Sequence, residues 1–242
     1  MFLSPKYFPS SAHPTTSVES KRFRHRCSSW MNLDPLFLRS LGYMPQLLLD
    51  TSAGLAHIHE NNLIHRDLKP NNILVNGSGD SLIAKIGDLG LAVETTNRSF
   101  SSSHTAFTGN KLYRAPENCD NKSESSYSSV LNFFARKGKY TNKIDVYSLG
   151  LIWSEILIPI MNHIEKNKFF GLMKDQFFRA RPLIPHVERF PREFDMIQRM
   201  LESNYRQRPT SAEVHHFAKE LQMGGKKESQ EGASSSRETS WH

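Results

Sequence analysis

The sequence has few cysteines and lacks long apolar runs. Two cysteines, Cys27 and Cys119, occur among 242 residues. This number excludes a disulfide-stapled secreted scaffold and fits a reducing compartment. Because there is no apolar run of about 18 residues and no continuous apolar segment at the N-terminus, we predict neither a membrane span nor export. We therefore expect a cytoplasmic protein, with the nucleus as the alternative, and no membrane partner.

Acidic residues are fewer than basic ones, at 24 against 31, which gives a net charge of +7. Much of the excess lies in residues 1–30, where Glu19 is the single acid and the basic residues are Lys6, Lys21, Arg22, Arg24 and Arg26. We interpret this leader as a solvated basic tail rather than a binding patch, with an organellar transit peptide as a further alternative. A nucleic-acid partner is not favoured, because aromatic residues are not interleaved with the cations.

Composition divides the chain into three parts. Residues 1–30 are rich in Ser, Pro, His and Arg, residues 224–242 are polar, and we expect both ends to be disordered. Residues 31–223 carry the apolar patterns of a folded domain. In this domain "QLLLDTSAGLAHIH" predicts a mostly buried helix that ends at Asn61-Asn62.

The remaining patterns predict small β-structure followed by helices. Short β-type runs are Leu63-Ile64, Ile73–Val75 and Leu82–Ile86. Further along the chain, "DVYSLGLIWSEIL" is apolar nearly all round and predicts a buried central helix, and "REFDMIQRML" predicts an amphipathic one. "TSAEVHHFAKEL" opens with Thr210 three residues before Glu213, the spacing of a capping box. The fold class is therefore mainly α, a helical bundle with small β-hairpins.

The stretch "NNLIHRDLKPNNILV", residues 61–75, has the residues that phosphoryl transfer needs. That reaction requires metal ligands, cations near the phosphates and a carboxylate that orients the attacking hydroxyl. Asp67 is the candidate base, Lys69 the candidate phosphate contact, and Asn72 a candidate Mg²⁺ ligand. The pattern H-R-D-L-x-x-x-N is a protein-kinase signature. A chance match is excluded by the motifs that follow in order: "GDLGLA", "YRAPE", "DVYSLG" and "RQRPT".

On these motifs, residues 40 to 222 resemble the C-terminal lobe of eukaryotic protein kinases. The resemblance implies ATP and Mg²⁺ as cofactors, a protein substrate, and Asp88 of "DLG" as the second Mg²⁺ ligand. It also implies three structural residues: Glu117, which would pair with Arg208 in a buried ion pair, and Asp145, which would hold the catalytic-loop backbone.

Lys69 in "DLKPNN" resembles the serine/threonine branch. The stretches "HENNLIHRDLKPNNI", "KIGDLGLA" and "IDVYSLGLIWSEIL" are similar to the kinases of the alpha subunit of eukaryotic translation initiation factor 2, which makes that subunit the candidate substrate. The stretch "SAGLAHIH" also resembles the stress-sensing kinase-ribonucleases of the endoplasmic reticulum. That alternative ranks second, because nothing after Leu221 suggests a nuclease domain.

A Ser/Thr-rich segment between Asp88 and Glu117 predicts regulation by phosphorylation. By resemblance Thr105 is the phosphorylated position, with Thr108 beside it, and a phosphate there would bring about two negative charges near Arg66. An unmodified loop is the alternative. Asn110 stands where the family usually has a Thr whose hydroxyl links the catalytic Asp and Lys, and its amide can hydrogen-bond in that place.

Two further departures concern activity. The segment from Glu117 to Asp145 is longer than is usual in the family, which indicates a surface insertion. No G-x-G-x-x-G stretch and no V-A-I-K-type lysine precede Asp67, so we expect the N-terminal lobe to be missing and activity to be impaired. The alternative to an enzyme is a non-catalytic kinase-like interaction module. The sequence gives no indication of the oligomeric state.

Overall fold

The structure, a computed structural model, describes residues 28–29, 43–77, 81–95, 109–118, 141–158, 163–180 and 187–235. The helices are α1 Met44–Glu60, α2 Lys143–Leu157, α3 His163–Ala180, α4 Pro191–Met200 and α5 Ser211–Ser235. The strands are β1 Ser28–Ser29, β2 Leu63–Ile64, β3 Ile73–Asn76, β4 Ile83–Ile86 and β5 Val93–Glu94. Thr105, Thr108, most of the insertion and the last seven residues, 236–242, lie outside the described residues.

The strands form two small antiparallel sheets. One has the order β1-β3-β4, in which Ile73 lies opposite Ile86 and Val75 opposite Ala84. The other joins β2 to β5 through the pair Ile64 and Val93. Side chains alternate along β3, where Ile73 and Val75 are buried while Leu74 is exposed. The alternation fixes β3 against the helices, so its N-terminal end holds the candidate loop at a defined place.

The core is built around α2, as the uniformly apolar pattern predicts. All its residues from Ile144 to Leu157 are buried, and helix α4 packs against it. At Gly150 the helices approach so closely that a Cβ there would lie 3.0 Å from Cβ of Met200. The prediction of a buried central helix is confirmed.

Helix α1 connects the helical core to the sheets. It ends at Glu60 with the backbone N–H of Asn61 bonded to the carbonyl of His57, which confirms the predicted stop. On one side Asp50 accepts a hydrogen bond of 2.8 Å from the backbone N–H of Ala84 in β4. On the other side α1 packs along α5, with Gln222 Nε2 donating to Gln46 Oε1 at 2.7 Å. None of the helices that the structure describes has the length and apolarity to cross a membrane.

Two expectations about the chain ends differ from the structure. Ser28–Ser29 belongs to the leader expected to be disordered, but it forms strand β1 on the edge of β3. A strand of two residues is too short to show apolar alternation in the sequence, so the pairing of Ser28–Ser29 with β3 was not predictable. Helix α5 continues to Ser235, beyond the expected boundary at Gly224. Lys, Glu and Gln are good helix formers and are frequent in this stretch, which offsets part of the cost of its glycines when an established helix is extended.

The capping box at the start of α5 gives a first testable prediction. Glu213 Oε2 accepts hydrogen bonds from the backbone N–H of Thr210 at 2.6 Å and from its hydroxyl at 2.8 Å, and the N–H of Glu213 donates to that hydroxyl. These bonds from Thr210 lower the pKa of the Glu213 carboxyl. These bonds therefore add to the free energy of unfolding at pH values above the unfolded-state pKa of Glu213. This contribution is lost as the pH falls through the lower pKa that Glu213 has in the folded state.

We expect Thr210→Ala to lower the free energy of unfolding by about 1 kcal/mol at neutral pH. Urea denaturation measures the change. Thr210→Ser is the matched control. Because it keeps the hydroxyl, its free energy of unfolding should fall much less. Equal losses in the two variants would show that the box does not stabilise the helix.

Candidate active site

The candidate loop runs between β2 and β3 and is held at its start by α2. The carboxylate of Asp145 accepts hydrogen bonds from the backbone N–H of His65 at 2.7 Å and of Arg66 at 2.9 Å. Asp145 is 1% exposed. Arg66 has a φ of 69°, a conformation that is uncommon in non-glycine residues and needs support from its surroundings. The two bonds supply that support, as the resemblance implied for Asp145.

His59 of α1 extends this anchor, a role that the sequence analysis missed. Its Nε2 lies 3.0 Å from Oδ2 of Asp145, and its Nδ1 lies 2.9 Å from the hydroxyl of Ser211 at the start of α5. The Asp145 carboxylate thereby connects α1, α2 and α5 with the loop. The "HIH" of the sequence does not indicate this role, because the partners lie 86 and 152 residues away.

Asp67 is the residue on which the polar groups of the loop converge. Lys69 Nζ lies 2.5 Å from its Oδ2. The side-chain amide of Asn72 donates to the carbonyl of Asp67 at 2.8 Å and to Oδ2 at 3.3 Å. The other oxygen, Oδ1, accepts the backbone N–H of Asn110 at 2.9 Å. Asp67 is 7% exposed, so the structure holds one nearly buried carboxylate in a fixed orientation by several donors.

The contact between Asn110 and Asp67 differs from the expectation. The backbone of Asn110 bonds to Asp67, while its side-chain oxygen accepts the N–H of Leu112 at 2.9 Å. The amide therefore does not replace the threonine hydroxyl; it closes a local turn. The preceding residue, Gly109, has a φ of 92°, which turns the backbone N–H of Asn110 toward the carboxylate.

Asp88 reaches the loop through the β3–β4 hairpin. The N–H of Gly87 donates to the carbonyl of Asn72 at 2.8 Å, and His65 Nε2 donates to the carbonyl of Gly87 at 3.0 Å. These bonds place Asp88 directly after a residue that is tied to both sides of the loop. Asp88 is exposed, with a φ of 61°. Leu89, the residue that follows, is 48% exposed.

The oxygen donors of Asn72 and Asp88 suit Mg²⁺, a hard cation that prefers carboxylate and amide oxygens. The amide nitrogen of Asn72 is directed at Asp67, which leaves its oxygen to act as a ligand. Within the described part of the chain no cluster of three or more His, Cys, Asp or Glu residues could hold a metal by itself. Mg²⁺ is commonly bound by one or two protein ligands together with substrate phosphates, so these residues fit a Mg²⁺-nucleotide.

Comparison with known families agrees with this arrangement. The family model "Protein kinase domain" matches residues 40–218, which include the loop, the hairpin and all of α2. The chain belongs to the protein kinase family. The resemblance drawn from "HRDLKPNN" and the later motifs is thereby confirmed. Members of this family use ATP and Mg²⁺.

Several curated kinases are similar to the chain. The rat interferon-induced, double-stranded RNA-activated protein kinase is 27% identical over 213 residues, 83% of this chain and 36% of that protein. The bovine eukaryotic translation initiation factor 2-alpha kinase 3 is 29% identical over 69% of this chain and 14% of its own length. The mouse serine/threonine-protein kinase Nek5 is 34% identical over 57% of this chain and 19% of its own length. The chain thus spans about a third or less of these relatives.

The segment that carries "YRAPE" is held in this chain by a buried cluster that the motifs did not reveal. The hydroxyl of Tyr113 donates to Glu155 of α2 at 2.7 Å, and Lys166 of α3 forms an ion pair with the same carboxylate. Burial raises the pKa of the Tyr113 phenol, and the neighbouring Glu155 raises it further, so Tyr113 remains a neutral donor. The ring of Phe170 packs edge-on against Tyr113 at 5.3 Å. These contacts fix the segment against both helices.

Glu117 and Arg208 form the ion pair that the resemblance implied. Nη1 and Nη2 of Arg208 contact the two carboxylate oxygens of Glu117 at 2.6 and 2.8 Å. The remaining guanidinium donor, Nε, bonds to the carbonyl of Glu202 at 2.6 Å. The guanidinium also lies 4.8 Å from the centre of the Tyr147 ring. Arg208 is 2% exposed, and its charge is surrounded by the Glu117 carboxylate, a backbone carbonyl and the Tyr147 ring.

Gly109 gives a second prediction. A Cβ at this position would lie 2.5 Å from the carbonyl oxygen of Arg66 and 3.2 Å from Oδ1 of Asp67. The positive φ also disfavours any side chain. We expect Gly109→Ala to lower the free energy of unfolding by about 1–3 kcal/mol, as measured by urea denaturation.

Gly171→Ala is the matched control for this variant. A Cβ at Gly171 in helix α3 would meet nothing within 4 Å. Because alanine favours the helical conformation, Gly171→Ala should raise the free energy of unfolding by about 0.5–1 kcal/mol. Unchanged stability of Gly109→Ala would show that the turn at Gly109 has other accessible conformations.

Proposed function

We propose that this kinase transfers the γ-phosphoryl group of Mg²⁺-ATP to a serine or threonine hydroxyl of a protein. The observation that carries the proposal is the arrangement around Asp67, whose two carboxylate oxygens are each held by a donor, Lys69 on one and the backbone of Asn110 on the other. A carboxylate held in this way can accept a hydrogen bond from the substrate hydroxyl and aim it at the phosphate. The serine/threonine-kinase relatives support this acceptor class.

The other loop residues have complementary roles in the proposal. Asp67 takes the proton of the attacking hydroxyl, and Lys69 lies against the transferring phosphate. Asn72 and Asp88 would hold the Mg²⁺ of the nucleotide, which when bound neutralises phosphate charge. The nearly complete burial of Asp67 excludes water and strengthens these interactions.

For the substrate we propose the alpha subunit of translation initiation factor 2. Two similar proteins bear that activity in their names: the bovine kinase and the eukaryotic translation initiation factor 2-alpha kinase pek-1 of Caenorhabditis elegans, which is 27% identical over 79% of this chain. For regulation, we propose that a phosphate on Thr105 or Thr108 contacts Arg66, which is buried beside the base.

We also propose that these 242 residues have low activity without a glycine-rich nucleotide-binding lobe. The face beside the hairpin exposes apolar side chains that such a lobe would cover. They are Leu74, Ile83, Leu89 and Leu91, between 36% and 50% exposed. A kinase-like interaction module is the second candidate, since the same apolar face could bind a partner without catalysis.

Transfer of label from the γ-position of ATP tests the proposal. The chain is supplied with Mg²⁺ and the translation-factor alpha subunit, with Asp88→Asn as the control. We expect transfer that is weak, dependent on Mg²⁺ and absent from the control. A well-folded chain that transfers no label to this subunit or to a general serine/threonine acceptor would favour the interaction module.

A further inference from the structure

Two enclosed polar atoms near the candidate loop have no hydrogen-bond partner within the part of the chain that the structure describes. They are Nε of Arg114 and Oδ1 of Asn118, whose residues are 9% and 4% exposed. An enclosed polar atom of this kind loses its hydrogen bond to solvent and gains none from the protein, which costs free energy. In folded proteins such atoms are usually satisfied by an ordered water or an ion.

Both side chains line one small cavity. Its volume is about 10 Å³, which is close to the space that a single water molecule needs. Because the cavity is so small, one molecule inside it lies within reach of the side chains around it. Asn118 is fixed at this place by its backbone N–H, which donates to the carbonyl of Ala115 at 2.9 Å. Ser148 of α2 lines the cavity as well.

The lining residues define the chemistry of the molecule that fits. It must accept the N–H of a guanidinium group and donate to an amide oxygen. Two arginines, Arg66 and Arg114, and two aspartates, Asp67 and Asp145, line the cavity. Because their charges balance, the cavity favours neither an anion nor a cation. A water molecule is neutral, and it can both accept and donate hydrogen bonds.

We propose that a buried water molecule binds in this cavity and connects Arg114 to Asn118. It accepts the N–H of Arg114 Nε and donates one proton to Asn118 Oδ1. Its second proton is directed to the hydroxyl oxygen of Ser148, which donates its own proton to the carbonyl of Tyr113 at 2.8 Å and can therefore accept. The water then makes about three hydrogen bonds, as internal waters usually do.

This water makes Asn118 a positioning residue for the proposed base. Nη2 of Arg114 donates to the carbonyl of Gly109 at 2.5 Å. That carbonyl belongs to the same planar peptide group as the N–H of Asn110, which donates to Asp67 at 2.9 Å. A guanidinium that is held at Nε as well as at Nη2 has less freedom to rotate. It therefore keeps the peptide group, and with it the N–H, directed at the Asp67 carboxylate.

A high-resolution crystal structure of the whole chain tests the water site directly. We expect an electron-density peak within about 3.2 Å of both Arg114 Nε and Asn118 Oδ1. Crystals grown in bromide identify the molecule, because a bromide ion gives an anomalous signal and a water does not. A peak with this signal, or no peak at all, overturns the water site.

Two substitutions of Asn118 test the positioning role through hydrogen exchange of the Asn110 amide, followed by NMR. Asn118→Leu removes the acceptor and should raise the exchange rate of this amide about tenfold. Asn118→Asp is the conservative variant. Because it keeps an acceptor oxygen at the same place, the rate should change by less than about threefold. Amides in the centre of α2 report whether the fold is intact in each variant.

The outcomes separate the water site from the proposed function. Exchange of the Asn110 amide that is equal in Asn118→Leu and in the unmodified chain overturns the positioning role. If Asn118→Leu does not fold, the electron density of the unmodified chain still decides on the water. The site does not depend on Asp67 being the base, so it can be confirmed even if no phosphate transfer is found.

Discussion

Asp67→Asn is expected to reduce phosphoryl transfer by about 10²–10⁴-fold, the range for loss of a positioned general base. The amide keeps the size of the carboxylate and can still accept the N–H of Asn110, but it cannot take the proton of the attacking hydroxyl. The charge that attracts Lys69 at 2.5 Å is also lost. Initial rates of label transfer at saturating ATP measure the change.

The result must be separated from unfolding. Asp145 anchors the loop through the backbone, and the side chain of Lys69 is 24% exposed, so water can solvate its ammonium group when the Asp67 charge is removed. We therefore expect the urea midpoint of Asp67→Asn to remain close to that of the unmodified chain. A variant with full stability and an undiminished rate would contradict the assignment of Asp67 as the base.

The largest effect on stability is expected from Arg208. Arg208→Met leaves the Glu117 carboxylate, 9% exposed, without its bidentate partner. Breaking a buried pair on one side costs about 3–5 kcal/mol. The loss should be visible in urea denaturation, and it should also loosen the segment that carries Tyr113 and Gly109.

A double-mutant cycle identifies the source of this cost. Glu117→Gln combined with Arg208→Met removes both charges and should cost less than the sum of the single variants, because no uncompensated charge remains. Arg208→Lys keeps the charge without the planar fork and should recover only part of the loss. If the changes in the free energy of unfolding of the two single variants add up to that of the double variant, the two side chains do not stabilise each other.

The candidate catalytic motif was predictable from the sequence because the chemistry proposed for it depends on short spacing. Asp67, Lys69 and Asn72 lie within six residues and meet in the structure around one carboxylate. The buried helix α2 was equally predictable, since an all-round apolar pattern fits only the centre of a bundle. The contact of Asn110 with Asp67 was not predictable, because the sequence cannot show whether the backbone or the side chain of Asn110 bonds to Asp67.

The sequence by itself determined the family, the buried helix α2, the positions of α1, α4 and the start of α5, and the candidate residues of the loop, because each depends on local spacing or on apolar periodicity. The tertiary structure decided which distant groups meet: β1 on the edge of β3, His59 on Asp145, Lys166 on Glu155 and Arg114 on the Gly109 carbonyl. The physical reason is that hydrogen bonds and ion pairs act over a few ångströms of space. Their partners can stand anywhere along the chain, and only the packed backbone brings them together.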